Sequence, residues 1–187
     1  MRLFVGISPG NTYKKKMEEL LSGVRPLSPG RITWVRPENF HLTLYFIGEV
    51  PGDVGGRIRE ELRRVRYPCF ELQGGGGGFF PSINRPRVLW VGCIKGAKQC
   101  HGLFEEVKGV VERVLSSHGH KDRFTPHLTL ARIRGSAPLS TWKAILSMVN
   151  KTSWDPVVVD SFILWKSTLT PRGPIYTPLE KYELLSP

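Results

Sequence analysis

The sequence predicts an α+β fold with antiparallel pairing, and three observations carry that prediction. Short apolar or alternating runs bounded by Gly, Pro and Asn are interspersed irregularly with amphipathic stretches. Extended segments repeatedly follow one another with no helix between them, which parallel crossovers do not allow. One tetrapeptide, His-Leu-Thr-Leu, occurs twice, at His41 to Leu44 and at His127 to Leu130, both times in a strand context. The 187 residues suffice for one well-cored domain or for two small lobes sharing an interface. No linker divides them, so residues 1–187 are expected to form a single unit.

The elements follow in order. Arg2 to Ile7 is a short apolar run closed by Ser8, Pro9 and Gly10, and reads as a first strand. From Asn11 to about Val24, Tyr13, Met17, Leu20, Leu21 and Val24 recur at helical spacing, and Pro26 and Pro29 end the segment. Ile32 to Val35 reads as a strand. After the Pro37-Glu38-Asn39 turn signal, Phe40 to Ile47 is a stronger one. Pro51 to Arg66 is a basic amphipathic helix whose five arginines form a solvated face. Cys69 to Leu72 and Val88 to Ile94 are expected to be partnered strands, with the glycine run between them a mobile connection. A third helix spans Ala97 to Ser117, a strand Pro126 to Ile133 and a short helix Leu139 to Val149. Val157 to Trp165 and Ile175 to Leu185 are extended.

Composition sets limits on function. Forty per cent hydrophobic and 23% charged residues are those of a globular chain, while a net charge of +11 attracts polyanions or serves only solubility. Too few apolar residues stand at Met1 to Pro9 for a signal peptide or a membrane span, so a cytoplasmic protein without membrane attachment is expected. Cys69, Cys93 and Cys100 show no C-x-x-C spacing, which argues against a disulfide framework or a zinc knuckle. The glycines Gly74 to Gly78 lack the Lys-Ser/Thr and following helix of a phosphate loop.

The repeated tetrapeptide carries the chemistry. Side chains alternate along a strand, so His41, Thr43 and Tyr45 share one face and Leu42, Leu44 and Phe46 the other, with His127 and Thr129 opposed to Leu128 and Leu130 in the second copy. If two such lobes meet around a pseudo-twofold axis, two imidazole and hydroxyl pairs face each other across a groove. Imidazole titrates near neutrality, so two of them can act as base and acid on a phosphodiester while the threonines bind its non-bridging oxygens. One nitrogen per strand is a poor metal set, and no further ligands stand at recognisable spacing. His101, His118 and His120 need only surface roles.

Longer segments around these motifs carry a family resemblance: Arg2 to Ile7, Trp34 to Glu49, Phe79 to Pro81, Arg87 to Val91, Phe124 to Arg132 and Ser167 to Tyr176. The chain resembles the two-histidine (2H) phosphoesterases of the RNA 2′,3′-cyclic phosphodiesterase, or 2′-5′ RNA ligase, type. The resemblance implies a bilobal α+β fold with two antiparallel sheets around a central cleft, related by a pseudo-twofold axis, and helices on the outer faces. It implies metal- and cofactor-free hydrolysis of RNA 2′,3′-cyclic phosphate ends to a 2′-phosphate, with 2′-5′ ligation as a related activity. By position, His41 and His127 match the catalytic pair, Thr43 and Thr129 their motif partners, and Arg132 the arginine after the second motif. His127 is assigned as the base and His41 as the acid, with the reverse left open.

Arg132 strains the strand geometry, because strict alternation turns it away from the groove with Phe46. Either the strand bulges or ends near Ala131, or the side chain reaches around the strand end, or it is a solvent-exposed arginine. Tyr45, Lys166, Arg172 and Tyr176 are further candidate RNA contacts. The five tryptophans read as packing residues. A single chain is expected to act as a monomer. The competing readings are an RNA-binding module without turnover, and the same chemistry on a small cyclic or 2′-5′ nucleotide.

Overall fold

The computed structural model describes residues 1–28, 30–116, 124–171 and 173–186. The strands are β1 (Arg2–Ile7), β2 (Ile32–Trp34), β3 (Leu42–Glu49), β4 (Phe70–Ser82), β5 (Arg85–Lys95), β6 (Leu128–Ile133), β7 (Val157–Val159), β8 (Ser161–Thr170) and β9 (Gly173–Glu183). The helices are α1 (Gly10–Val24), α2 (Gly52–Leu62), α3 (Ala97–Leu115) and α4 (Leu139–Lys151), with a 3-10 turn at Pro37–Asn39 before β3.

The strands run in the order β7-β4-β5-β6-β3-β1-β8-β9, and all these pairings are antiparallel. The order falls into two four-stranded halves, each with its His-Leu-Thr-Leu strand innermost. They meet at a single bridge, Leu42 opposite Leu128, the first leucine of each motif. The pseudo-twofold axis therefore passes between equivalent residues. β2 continues along the same edge of β6, pairing Ile32 with Ile133 and Trp34 with Ala131.

One apolar core serves both halves. Leu42, Leu44, Leu128 and Leu130 are all buried, as strand parity requires, and each contributes about 1.5–3 kcal/mol by leaving water. The apolar stripe read for the first helix, Tyr13, Met17, Leu20, Leu21 and Val24, is the stripe that α1 buries. α2 and α3 pack on each other with α3 against β3, while α1 and α4 pack together with α4 against β4.

The glycine run overturns one expectation: it is not a loop but the middle of the long strand β4, paired with β5 from Gln73 to Ser82. The absent side chains make room for large ones. A Cβ on Gly78 would stand 2.3 Å from the Trp90 ring, one on Gly77 2.5 Å from Val149 and one on Gly75 2.8 Å from Ile94. Low β-propensity is outweighed here by packing of neighbours into the space the glycines leave.

Candidate active site

Each motif strand carries an extra residue at its second leucine. On β1, Val5 and Gly6 are consecutive, yet they pair with Tyr45 and Thr43, leaving Leu44 as the bulge. On β5, Leu89 and Trp90 pair with Ala131 and Thr129, leaving Leu130. A bulge puts two successive residues on one side of the strand and restores alternation shifted by one. Leu44 and Tyr45 are thus both buried, as are Leu130 and Ala131, and the next residue of each strand, Phe46 and Arg132, turns to the groove.

The groove is a cavity of about 240 Å³ bordered by His41, Thr43, His127, Thr129, Arg132 and Tyr176, together with Phe46, Trp34, Asn39 and Phe80. Both histidines and both threonines expected at a shared cleft are there. Arg132 joins them by the bulge, on a cross-strand row with Thr33 and Val88. Two sequence readings need correcting. Phe46 does not face the core but is 56% exposed in the cleft. Tyr45 is not a cleft residue: it is buried, and its hydroxyl donates to Glu112 Oε1 at 3.4 Å. Lys166 pairs with Leu3, whose side chain packs beside Gly55 of α2, and stands exposed on the helix-covered face, away from the cleft. Arg172, His118 and His120 lie outside the described residues. Of the five tryptophans Trp34 borders the cleft; the other four pack, Trp90 and Trp165 behind the histidines.

The imidazoles are held alike. His41 Nδ1 donates to the Asn39 carbonyl at 2.6 Å, and His127 Nδ1 to the Thr125 carbonyl at 2.7 Å, in each case two residues back along the chain. A carbonyl only accepts, so both rings carry their proton on Nδ1 and present a bare Nε2 to the groove when neutral. Thr43 Oγ1 lies 3.0 Å from His41 Nε2 and donates to it in that tautomer. Asn39, which the sequence marks only as a turn residue, also donates from Nδ2 to the Pro174 carbonyl at 2.9 Å, tying the His41 support to the β8–β9 hairpin.

Each ring is walled by aromatics. His41 lies 4.9 Å from Phe4, 5.2 Å from Tyr176 and 5.8 Å from Trp165, while His127 lies 5.0 Å from Phe80 and 6.3 Å from Trp90. Burial drives the His41 pKa down to about 4; its bond to Asn39 opposes the shift, and His127 and Arg132 add to it. Burial also lowers His127, against its bond to Thr125, and Arg132 lowers it further. Burial raises Tyr176, and Arg132 and Arg2 pull it back. Arg132 lines the same cavity as all three groups. Such an arrangement can take a proton at one Nε2, deliver one at the other, and neutralise an anion between them. Among the described residues no helix is long and apolar enough to cross a membrane.

Comparison with known proteins identifies the family. The model of the LigT-like phosphoesterases matches residues 7–90 and 97–176. The chain is 41% identical over 155 residues to the RNA 2′,3′-cyclic phosphodiesterase of Aeropyrum pernix, covering 81% of this chain and 86% of that one. It is 36% identical over 183 residues to the protein of the same name from Thermotoga maritima, covering 96% and 93%. Among solved structures, a Thermus thermophilus protein superposes with a TM-score of 0.74 at 29% identity, over 98% of this chain and 97% of that one. Apo LigT of E. coli does so with a TM-score of 0.77 at 25% identity, over 98% and 96%. The family model spans both motif strands and most of the fold between and around them, and by that measure the chain belongs to the LigT-like phosphoesterases.

Proposed function

We propose that this protein hydrolyses the 2′,3′-cyclic phosphate at RNA ends to a 2′-phosphate by acid-base catalysis between His41 and His127. The observation that carries the reading is the matched pair of imidazoles. Each is pinned through Nδ1 to a carbonyl two residues back, and each ring borders a common cavity that Arg132 and Thr43, the partner of His41 Nε2, also line. The relatives named above as RNA 2′,3′-cyclic phosphodiesterases support the substrate.

In the proposed reaction His127 Nε2 takes a proton from water as its oxygen bonds to phosphorus. The bond from phosphorus to the 3′ oxygen breaks, and the leaving oxygen takes the proton carried on His41 Nε2. Ring opening leaves the phosphate on the 2′ oxygen, His127 protonated and His41 neutral; solvent exchange resets both. Arg132 and the hydroxyls of Thr43 and Thr129 hold the non-bridging oxygens, where charge builds in the transition state. Tyr176 borders the same cavity, which supports a contact with the terminal nucleotide. Both histidines come from one chain, so the reading takes residues 1–187 as a single catalytic domain acting as a monomer, with RNA in the cytoplasm as its partner and no metal or other cofactor. Joining of ends through a 2′-5′ linkage would run similar bond changes in reverse.

The test is the product formed from an RNA with a terminal 2′,3′-cyclic phosphate, in chelator and without added metal, resolving 2′- from 3′-phosphate. A 2′-phosphate product that disappears in the His41→Ala, His127→Ala double variant is expected. Full activity in that double variant would sink the reading.

A further inference from the structure

Two hairpins border the cleft, and they are fastened differently. In the β4–β5 hairpin Phe80 walls His127, and its neighbour Phe79 is buried with its ring 5.7 Å from that of Trp142. Apolar packing clamps that hairpin to the core. In the β8–β9 hairpin Tyr176 rests against Phe4 and His41, at 4.9 and 5.2 Å. Beyond that contact it has no comparable anchor: no described residue from Lys166 to Pro178 is buried, and Leu169 and Ile175 are 66% and 56% exposed.

A polar tie stands there instead. Asn39 Nδ2 donates to the Pro174 carbonyl at 2.9 Å, and Gly173 and Pro174 line the cleft with Tyr176. The Asn39 carbonyl in turn accepts the Nδ1 proton of His41 at 2.6 Å. One residue therefore holds the hairpin by its side chain and the imidazole by its main chain. The turn itself is secured from within: Asn39 N–H donates to the Arg36 carbonyl at 2.8 Å, Phe40 N–H to the Pro37 carbonyl at 3.1 Å, and Phe40 is buried in the core. What the side chain adds is the relation between that turn and the hairpin. Thr125, which supports His127 in the same way, is exposed and has no such tie among the described residues.

We infer that Asn39 is a positioning residue for His41: its amide binds the β8–β9 hairpin, so that the imidazole and the hairpin wall of the cleft keep one fixed relation. The inference rests on the proposed function and adds a residue to it. A carbonyl that drifts no longer holds the proton on Nδ1, and the neutral ring is then free to carry it on Nε2 instead. The charged ring is the stronger donor, so the same carbonyl also favours protonated His41, against His127 and Arg132, which disfavour it, and with Tyr176 at its edge.

Asn39→Ala and Asn39→Leu test it, the second keeping the branched shape without the donor. The first measurement is nitrogen NMR of histidine-labelled protein near neutral pH, with the His41 signals located by their loss in His41→Gln. The unaltered protein should show the Nδ1–H tautomer alone, and both variants a mixture with the Nε2–H form. The second is kinetics on an RNA with a terminal 2′,3′-cyclic phosphate. There kcat should fall about tenfold, by more than KM rises, as misplacement of a reacting group does. The acid limb of the kcat/KM profile should move to lower pH, because His41 loses a bond that favours its charged form. An unchanged tautomer in both variants would overturn the inference. So would a rise in KM with kcat unchanged, the result of a tie that serves the hairpin alone. If the unaltered protein turned over no such RNA, the proposed function would be what fails, and the tautomer by itself would decide whether Asn39 positions His41.

Discussion

The two halves of the sheet share a His-x-Thr row, a bulge at the second leucine and an imidazole tied to a carbonyl two residues back, yet the residue that each bulge turns into the cleft differs. It is Phe46 in the first half and Arg132 in the second. The shared features make a pair of proton-transfer groups. The difference gives the cleft a direction, because the bulge turns a guanidinium inward in one half and an aromatic ring in the other. A duplicated unit with both walls alike would hold an anion without telling its ends apart.

The largest expected effect comes from breaking what the halves share. His41→Ala or His127→Ala should each lower kcat on a cyclic-phosphate RNA end by about 10²–10⁴-fold, the usual worth of a positioned acid or base. Each single variant should also lose one limb of its pH–rate profile. A single variant that kept both limbs would mean the remaining imidazole does not act alone.

Next comes the residue in which they differ. Arg132→Ala should lower kcat by about 10²–10³-fold, as loss of one donor to a developing oxyanion does, and Arg132→Lys should recover part of it. Phe46→Ala, at the matching place, should act on KM more than on kcat, since an aromatic wall touches the nucleotide and not the phosphate charge. Comparable kcat losses at the two positions would erase the proposed polarity.

The pH dependence follows from the histidine environments. With His41 held at about 4 and His127 lowered from its ordinary value, both rings are neutral in the free protein at pH 7. The form with one ring protonated is then most populated on the acid side of 6.5, and the maximum of kcat/KM is expected there. A bound phosphate anion favours the charged imidazole, so the kcat profile should lie to the alkaline side of the kcat/KM profile. Folding stability carries the same sign. Between 6.5 and about 4 the unfolded chain binds a proton at residue 41 that the folded chain refuses, so stability is complete above 6.5 and is lost as pH falls toward 4. Thermal unfolding of His41→Gln followed over that range should decline less steeply than that of the unaltered protein.

Much of this was legible in the residues. The helical stripe of α1, the buried leucines and the two His-Thr rows follow from periods of 3.6 and 2, which local sterics fix. What parity misplaced, Tyr45 and Phe46, lies just past a bulge. A bulge is set by pairing with another strand, which a single segment does not reveal. Arg132 supplied the signal, since a charged residue at core parity is the mark of a shifted strand, and its alignment with Phe46 carried the same shift to the first copy. Gly74 to Gly78 misled for a related reason. Their place in a strand depends on Trp90, Val149 and Ile94, none of them local to the run.

The smallest effects should separate the tryptophans that back the two histidines. In the first half Trp165 lies behind His41 and close to Gly6, where an added Cβ would stand 3.2 Å from the Trp165 ring but 2.5 Å from the Leu42 carbonyl oxygen. In the second half Trp90 lies behind His127, where a Cβ on Gly78 would meet the Trp90 ring at 2.3 Å. A side chain can turn aside, whereas the Leu42 carbonyl belongs to the strand that carries His41 and to the bridge between the halves. Both Gly6→Ala and Gly78→Ala should destabilise by about 1–3 kcal/mol, the cost of overpacking. Activity should divide them. Gly6→Ala shifts β3 itself and should lower kcat severalfold, whereas Gly78→Ala is absorbed by rotation of Trp90 and should leave kcat within about twofold. Equal kcat for the two variants at matched folded fractions would show that the bridge between the halves yields as readily as an indole ring, and that the relative placement of the two imidazoles does not depend on it.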